Sequence, residues 1–265
     1  MRASASIVAG LAILSGLMAN SSAQASGVCQ VESGPTTAAL VELYTSEGCS
    51  SCPPADEFLR KLRRDAGPQA EIIPLALHVS YWDQIGWKDV FAHKAFDARQ
   101  RALVNAGKGN VVYTPQFFVN GREERNWSRA LPEAIGKAHN LPAQAQIKLT
   151  STPLTANTIL VEAVAQTPAA DGNRVLYIAL SENELVSHVK RGENSGATLR
   201  HDATVRTWIG PVTLANGNAR LRQEIALAPE WNVKNMQAIA FVQSLDDGRV
   251  LQAVSTARCG PGKRS

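Results

Sequence analysis

The sequence has few of the features that define several large functional classes. Beyond residues 7–19 it has no apolar run approaching the ~20 residues that a membrane-spanning helix needs. Its 27 Lys and Arg residues are scattered and the formal net charge is only +4, so no basic stripe indicates nucleic-acid binding. The densest basic cluster, residues 60–64, is interpreted as the solvated face of one helix.

Most catalytic and metal-binding motifs are also missing. The sequence has no phosphate-binding glycine loop, no Ser/His/Asp arrangement and no paired-carboxylate spacing. A single CxxC motif supplies only two of the four ligands of a structural zinc site, and no CxxH or second CxxC follows it. We therefore predict no cofactor. An apolar fraction of 45% and a charged fraction of 19% remain typical of a globular protein.

The N-terminus has the pattern of a secretory signal peptide. Arg2 precedes the apolar run, and the small residues of "AQA" fit a cleavage site before Ser26. The apolar run is too short for the alternative, a membrane anchor. We predict that residues 1–25 are removed and that the protein is periplasmic or secreted.

Export changes the interpretation of the four cysteines, because unpaired thiols are disfavoured in an oxidising compartment. Four cysteines allow three pairings. Their positions favour a local Cys49–Cys52 bond and a long-range Cys29–Cys259 bond. A terminal cysteine that pairs with another molecule is the alternative. The long bond would stabilise the fold by about 5 kcal/mol in the chain-entropy model.

The hydrophobic pattern predicts two domains. Strand and helix patterns alternate up to about residue 140, which indicates a layered α/β domain at residues 26–141. Within it, a helix at residues 56–64 follows the CxxC motif and stops at Gly67 and Pro68. Short alternating runs separated by turns then predict a smaller, sandwich-like, all-β domain at residues 142–265.

The CxxC motif lies between a buried strand and a helix, which is its most informative feature. A helix N-terminus favours the thiolate, the nucleophilic form of cysteine. We predict that Cys49 attacks and Cys52 resolves in thiol–disulfide exchange. Two alternatives stay open: a copper site formed by Cys49, Cys52 and His78, and a structural disulfide in a non-catalytic binding protein.

Strand, CxxC and helix, followed by "YTPQFFVNG", resemble the thioredoxin fold. The resemblance implies a cis Pro115 beside the cysteines and a Thr114 backbone that binds an extended substrate segment by strand addition. More specifically, "VELYTSEGCSSCPPAD", "ALHVSYWDQIGWKD", "VYTPQFFVNG" and "RGENSGATLRHDATVR" resemble the bacterial secreted family catalogued as domain of unknown function 1223. This resemblance covers nearly the whole mature chain and implies a thioredoxin-like fold, but no activity.

The motif departs from thioredoxin in several places. Gly48 stands where thioredoxins have tryptophan, and Ser50 and Ser51 separate the cysteines. Pro53 and Pro54 follow directly, and the second proline predicts a kinked or delayed helix.

Two further segments contain candidate site residues. "HVSYWDQIGW" predicts a pocket wall in which Asp83 or His78 shuttles protons; the alternative is a packed loop in which Asp83 caps a turn. The members of this cluster are His78, Tyr81, Trp82, Asp83 and Trp87.

The segment from Glu182 to Arg206 is interpreted either as a solvated loop or as a loop that binds a partner or the thioredoxin-like site. Its candidate residues are Glu193, Asn194, His201 and Arg206. The sequence as a whole predicts an exported oxidoreductase whose partners are the thiols and disulfides of other exported proteins and an unidentified redox partner.

Overall fold

The computed structural model describes residues 27–66, 71–168 and 173–259. The predicted signal peptide, the Gly67–Pro68 helix stop and residues 260–265 of the tail lie outside the described residues. In the described ranges, no helix is long and apolar enough to cross a membrane.

The described chain is mostly β, with fourteen strands and three α-helices. The strands are β1 (Cys29–Glu32), β2 (Ala39–Thr45), β3 (Ile72–His78), β4 (Gln116–Val119), β5 (Arg122–Glu123), β6 (Gln146–Thr155), β7 (Thr158–Gln166), β8 (Arg174–Glu182), β9 (Leu185–His188), β10 (Thr198–His201), β11 (Thr204–Thr213), β12 (Asn218–Ala226), β13 (Met236–Ser244) and β14 (Val250–Ser255). The helices are α1 (Pro53–Ala66), α2 (Lys94–Ala106) and α3 (Trp127–His139).

The first half of the chain forms a compact α/β arrangement. Strands β2 and β3 are parallel neighbours connected through α1, and β4 pairs antiparallel with the other side of β2. The hairpin from β4 to β5 and then α3 complete the unit, with sheet order β3-β2-β4-β5. Helices α1 and α3 pack on one face of this sheet, and α2 contributes to the core on the other.

The second half continues the same sheet. Strand β11 joins the free side of β3, where the Ala76 N–H donates to the Ala203 carbonyl oxygen at 2.8 Å. Strands β8, β13 and β14 follow, so one eight-stranded sheet has the order β14-β13-β8-β11-β3-β2-β4-β5. The large sheet thus contains strands from both sides of the boundary predicted at residue 142. Whether the two halves fold as separate domains stays a prediction.

A second sheet of order β1-β6-β7-β12 covers part of the first. Their shared core is aliphatic: Leu149 and Val161 of the smaller sheet are buried with Ile178 and Ala240 of the larger one. The smaller sheet is antiparallel throughout. Strand β7 alternates half-buried and buried residues along its length, because only one face of the sheet meets the core.

Helix α1 begins at Pro53, which corrects the predicted kink or delayed start. Both prolines lie in the first turn, where backbone N–H groups have no partner within the helix. The Cys52 carbonyl accepts the first helical hydrogen bonds, from the N–H groups of Ala55 and Asp56. The cysteine motif therefore leads directly into the helix.

Candidate functional site

All four cysteines are in disulfides, in the two pairs that the sequence predicted. Cys49–Cys52 closes the loop between β2 and α1, with the Cα atoms 5.4 Å apart. Cys29–Cys259 joins the two ends of the described chain across a sequence separation of 230. Cys49 and Cys52 are both completely buried.

The Thr114–Pro115 peptide bond is cis. Pro115 directly precedes β4, whose first residue, Gln116, pairs with Tyr44 near the end of β2. Because β2 leads into the cysteine loop, Thr114 and Pro115 lie at the same end of the sheet as that loop. In the described chain the Thr114 hydroxyl is buried without a hydrogen-bond partner. Its predicted role in substrate binding stays a prediction.

A buried network of ionisable side chains adjoins the cysteine loop. His78 Nδ1 lies 2.7 Å from Asp89 Oδ2, and the same oxygen accepts the backbone N–H of Glu47 at 2.9 Å. The Glu47 carboxylate in turn accepts a hydrogen bond from Trp87 Nε1 at 2.7 Å and lies 3.2 Å from His201 Nε2. Three segments that are far apart in sequence therefore meet at this loop.

Three members of the network, Asp89, His78 and Glu47, are shifted toward their charged forms. Burial alone would raise the pKa of Asp89, but the neighbouring His78 and hydrogen bonds from backbone N–H groups lower it. Burial alone would lower the pKa of His78, but Asp89 raises it. Burial likewise opposes ionisation of Glu47, but hydrogen bonds with His201, Ser187 and Trp87 together outweigh it, so the Glu47 pKa is lowered.

Asp56 behaves differently from the other carboxylates. It lies one helical turn after Cys52 on α1, and burial raises its pKa, although His201 and His78 partly offset this. One of its oxygens, Oδ1, has no hydrogen-bond partner within the described ranges, and neither have His78 Nε2 and His201 Nδ1. The two imidazole rings lie 5.0 Å apart. The site thus contains a carboxyl group that burial shifts toward its protonated form, near two imidazoles each with one ring nitrogen that has no hydrogen-bond partner among the described residues.

Residues 189–197 lie over the cysteine motif and are called the cover loop below. They connect β9 and β10, which pair only with each other in the described sheets. Asn194 Nδ2 donates to the carbonyl oxygens of Glu47 at 2.8 Å and Cys49 at 3.0 Å. The Glu193 carboxylate accepts the Ser50 N–H at 3.0 Å. Hydrogen bonds from the Ser50 side chain and backbone lower the Glu193 pKa. The cover loop thus satisfies three backbone groups of the cysteine loop.

In the cluster around Trp82, Trp82 itself contacts the cysteine loop, and Tyr81 and Asp83 make hydrogen bonds outside it. Trp82 packs on Gly48, where an added Cβ would lie 3.2 Å from the Trp82 Cβ, so this position has little room for a side chain. Tyr81 donates to Gln100 at 3.2 Å, and burial raises its pKa to about 12. Asp83 accepts the Asp89 backbone N–H at 3.1 Å. This hydrogen bond is the one expected if Asp83 caps a turn. The other hypothesis, that Asp83 shuttles protons, stays a prediction.

Sequence reasoning missed three members of the network, Glu47, Asp56 and Asp89. Two of them had a local signal: Glu47 stands two residues before Cys49, and Asp56 follows Cys52 by the four residues that place side chains on one helix face. Asp89 had none, because only the folded chain brings it to His78. Of the candidates in the later segment, Glu193, Asn194 and His201 reach the site; Arg206 contacts other residues.

The copper alternative has no assembled ligand set. Across residues 27–66, 71–168 and 173–259, no three His, Cys, Asp or Glu side chains are placed to hold a metal ion. His78 directs Nδ1 to Asp89, and both cysteine sulfurs are bonded to each other.

Comparison with known proteins gives a family and a fold. A family model described as "Protein of unknown function (DUF1223)" matches residues 40–243. The chain is similar to protein AGR_C_4864 from Agrobacterium tumefaciens at 23% identity and TM-score 0.60, covering 88% of this chain and 97% of that one. It is similar to HBP35 of Porphyromonas gingivalis at 15% identity and TM-score 0.62, covering 88% and 80%. No curated protein matches significantly. At these identities the likeness to solved structures shows the fold alone.

Proposed function

The chain belongs to the DUF1223 family of proteins of unknown function, and we propose that it is an exported, thioredoxin-like thiol–disulfide oxidoreductase that exchanges disulfides with other exported proteins through Cys49 and Cys52. No activity is known for this family, and the support for the proposed function comes from the residues around the disulfide.

The order of elements supports the thioredoxin-like assignment. A parallel β2-α1-β3 unit, an antiparallel β4-β5 hairpin and a final α3 give the sheet order β3-β2-β4-β5. In a thioredoxin fold the reactive disulfide stands at the start of the first of these helices, and Cys49–Cys52 has that position. The two disulfides also suit an oxidising compartment, which supports the proposed export.

The observation that favours a redox role is the buried network beside the disulfide. Three carboxyl groups and two imidazoles lie out of solvent there: Glu47, Asp56, His78, Asp89 and His201. Burying ionisable groups is unfavourable, and a disulfide that only staples two segments together needs none of them. Reduction of a disulfide takes up protons as well as electrons, and acid-base groups beside it serve to supply and accept those protons.

The proposed exchange starts from the disulfide form. A partner thiolate attacks Cys49 Sγ, the Sγ–Sγ bond breaks, and Cys52 leaves as a thiolate that takes up a proton. The partner's second thiolate then attacks the partner sulfur that is bonded to Cys49 in the mixed disulfide, and Cys49 is released as a thiolate. The partner dithiol loses two electrons and two protons, and the Cys49–Cys52 pair gains them. Asp56, one helical turn from Cys52 and with a raised pKa, is the carboxyl group that we assign to this proton exchange.

Replacement of Cys52 by alanine tests the proposal. In the reverse direction, reduced Cys49 attacks a partner disulfide and Cys52 resolves the mixed disulfide. Without Cys52, Cys49 should therefore accumulate mixed disulfides with exported proteins, visible as thiol-sensitive high-mass species in export-compartment extracts. The matched control is Cys49→Ala, which should trap none. Equal trapping by both variants, or trapping by neither, would contradict the proposed exchange.

A non-catalytic binding protein is the second candidate, and the complete burial of both cysteines beneath the cover loop favours it. The equilibrium reduction potential of Cys49–Cys52 against glutathione separates the two functions. Working thiol–disulfide enzymes lie between roughly −120 and −270 mV, and structural disulfides lie below about −300 mV. A reduction potential below about −300 mV would instead favour the non-catalytic binding protein.

A further inference from the structure

Arg206 on β11 is a buried cation outside the cysteine site. Its side chain is 12% exposed. The guanidinium carbon lies 5.1 Å from the ring centroid of Phe91 and 4.8 Å from that of Trp231. Both distances are within the range of cation–π attraction. The aromatic contacts fix the position of the guanidinium group but use none of its hydrogen-bond donors.

Most of those donors are free. A guanidinium group has five N–H donors, and its ion-pair partner among the described residues is Glu182, with Oε2 3.5 Å from Nε. Burial lowers the pKa of the guanidinium group, and the Glu230 carboxylate lies close enough to act with Glu182 in the opposite direction. The other Glu182 oxygen accepts the Asn232 backbone N–H at 2.7 Å, which anchors the carboxylate. The two terminal nitrogens of Arg206 make no hydrogen bond with the described residues, and they are not among the fully buried unpaired atoms, so their N–H groups stay in contact with solvent beside the adjoining cavity.

The guanidinium group lies beside a cavity of about 340 Å³. Three separate segments form its walls: the loop and first turn leading into α2, the start of β11, and the loop before β13. Its principal lining side chains are Phe91, Phe96, Trp208, Trp231 and Arg206. Small aliphatic residues, His93 and Thr207 complete the lining, so the cavity combines aromatic surface with polar groups, as sites for small organic ligands do.

We propose that this cavity binds a small organic carboxylate, whose flat apolar body lies among the aromatic rings and whose carboxylate accepts hydrogen bonds from the terminal nitrogens of Arg206. A carboxylate matches the paired N–H donors of a guanidinium group in geometry and charge. Phe91, in the cavity wall, also packs against the His78 and His201 rings, so the cavity adjoins the network beside the cysteines. The proposed binding uses neither cysteine and does not depend on the proposed redox function.

Replacing Glu182 should affect anion binding in the opposite direction from replacing Arg206. Its carboxylate holds Nε of Arg206 and also neutralises part of the charge that would attract an anion. Glu182→Gln keeps the size of the side chain and an oxygen for Asn232, but it removes the competing negative charge. This variant should bind an anionic ligand more tightly than the wild-type protein, whereas Arg206→Gln should bind it more weakly.

The test is calorimetric titration of the full-length mature protein with 3-phenylpropionate, and with the neutral 3-phenylpropanamide as the matched probe. We expect saturable binding of the anion with a Kd of about 1 mM or below, and at least tenfold weaker binding of the amide. Arg206→Gln should weaken anion binding by about tenfold or more, and Glu182→Gln should strengthen it severalfold. Arg220→Gln, at an exposed arginine on β12, is the control that should leave binding unchanged.

No saturable binding of the anion, or equal binding of the anion and the amide, would overturn the proposal. So would an Arg206→Gln variant that folds and binds the anion as the wild-type protein does. If Arg206→Gln fails to fold, the Glu182→Gln result decides, since weaker or unchanged binding by that variant also contradicts the proposal.

Discussion

At the scale of single residues, the His78–Asp89 pair is the most deeply buried charge contact of the site. Both side chains are fully inaccessible to solvent, and each shifts the pKa of the other toward the charged form. A raised histidine pKa stabilises the fold below the unfolded value near 6.5, and this stabilisation is lost as the pH rises through the folded pKa. A lowered aspartate pKa stabilises it above about 3.9, and this is lost as the pH falls through the folded pKa.

Asp89→Asn should therefore lower the free energy of unfolding most between about pH 4 and pH 6.5, where the pair is fully charged in the folded state. Removing one partner of a buried pair costs about 3–5 kcal/mol. Urea unfolding at pH 3, 5.5 and 9 measures the effect. Glu162→Gln, which breaks an exposed pair with Arg220, is the control and should change stability by less than about 1 kcal/mol. An effect of Asp89→Asn that is independent of pH would refute the pairing of charges.

Asp56 should show the opposite pH dependence. Burial raises its pKa in the folded protein, so its stabilising effect is fully present below the unfolded value near 3.9 and is lost as the pH rises through the folded pKa. Asp56→Asn cannot ionise and should be more stable than the wild-type protein at pH 8, with a difference that shrinks toward pH 4. The same urea series measures it, and an advantage that grows toward acid would show that Asp56 is favoured as a carboxylate.

At the scale of elements, the cover loop decides access to the disulfide. Its hairpin, β9 and β10, belongs to neither large sheet, and two hydrogen bonds from Asn194 and one to Glu193 hold it on the cysteine loop. Because each neutral hydrogen bond contributes about 1 kcal/mol, losing both Asn194 contacts should shift the loop toward open forms by roughly tenfold or more.

Asn194→Ala should therefore speed the reduction of Cys49–Cys52 in folded protein by about tenfold with dithiothreitol. Thiol trapping at successive times measures the rate. Asn157→Ala, in the exposed turn between β6 and β7, is the matched control and should leave the rate unchanged. If the disulfide of Asn194→Ala is reduced at the wild-type rate, the cover loop does not limit access to it.

The elements nearest the cysteines could be predicted from local signals, and those that complete the site could not. The apolar run before Cys49 predicts β2, and helical spacing after Cys52 predicts α1. The sequence gives no local reason for Asn194 to lie on the Cys49 carbonyl, because that contact depends on a turn in the other half of the chain. The candidates in this segment were recognised as polar and turn-rich, which describes a solvated loop equally well.

At the scale of the whole molecule, the eight-stranded sheet joins the two halves of the chain. Hydrophobic patterning identified strands on both sides of residue 142, but it contains no information on which strands are neighbours. The link is the pairing of β11 with β3, where Thr204 faces Ala76 across a long stretch of sequence. Long-range pairing of this kind follows from packing of the complete fold and not from the local pattern of either strand.

The continuous sheet predicts that the protein unfolds as one unit. If the two halves were independent domains, scanning calorimetry would resolve two transitions, or one whose calorimetric enthalpy exceeds its van't Hoff enthalpy. We expect a single transition with equal enthalpies, because opening β11 from β3 would expose core on both sides. Two resolved transitions would support the sequence-based division at residue 142.

The two disulfides should differ in what they contribute to this unit. Cys29–Cys259 spans a sequence separation of 230, whereas Cys49–Cys52 spans 3. The chain-entropy model gives about 5 kcal/mol for the long bond and about 2 kcal/mol for the short one. Replacing Cys29 and Cys259 by serine should therefore destabilise the protein much more than replacing Cys49 and Cys52, as measured by urea unfolding of the two double variants. A larger loss from the Cys49/Cys52 variant would contradict this, and would identify the short disulfide as the structural bond that the proposed redox function excludes.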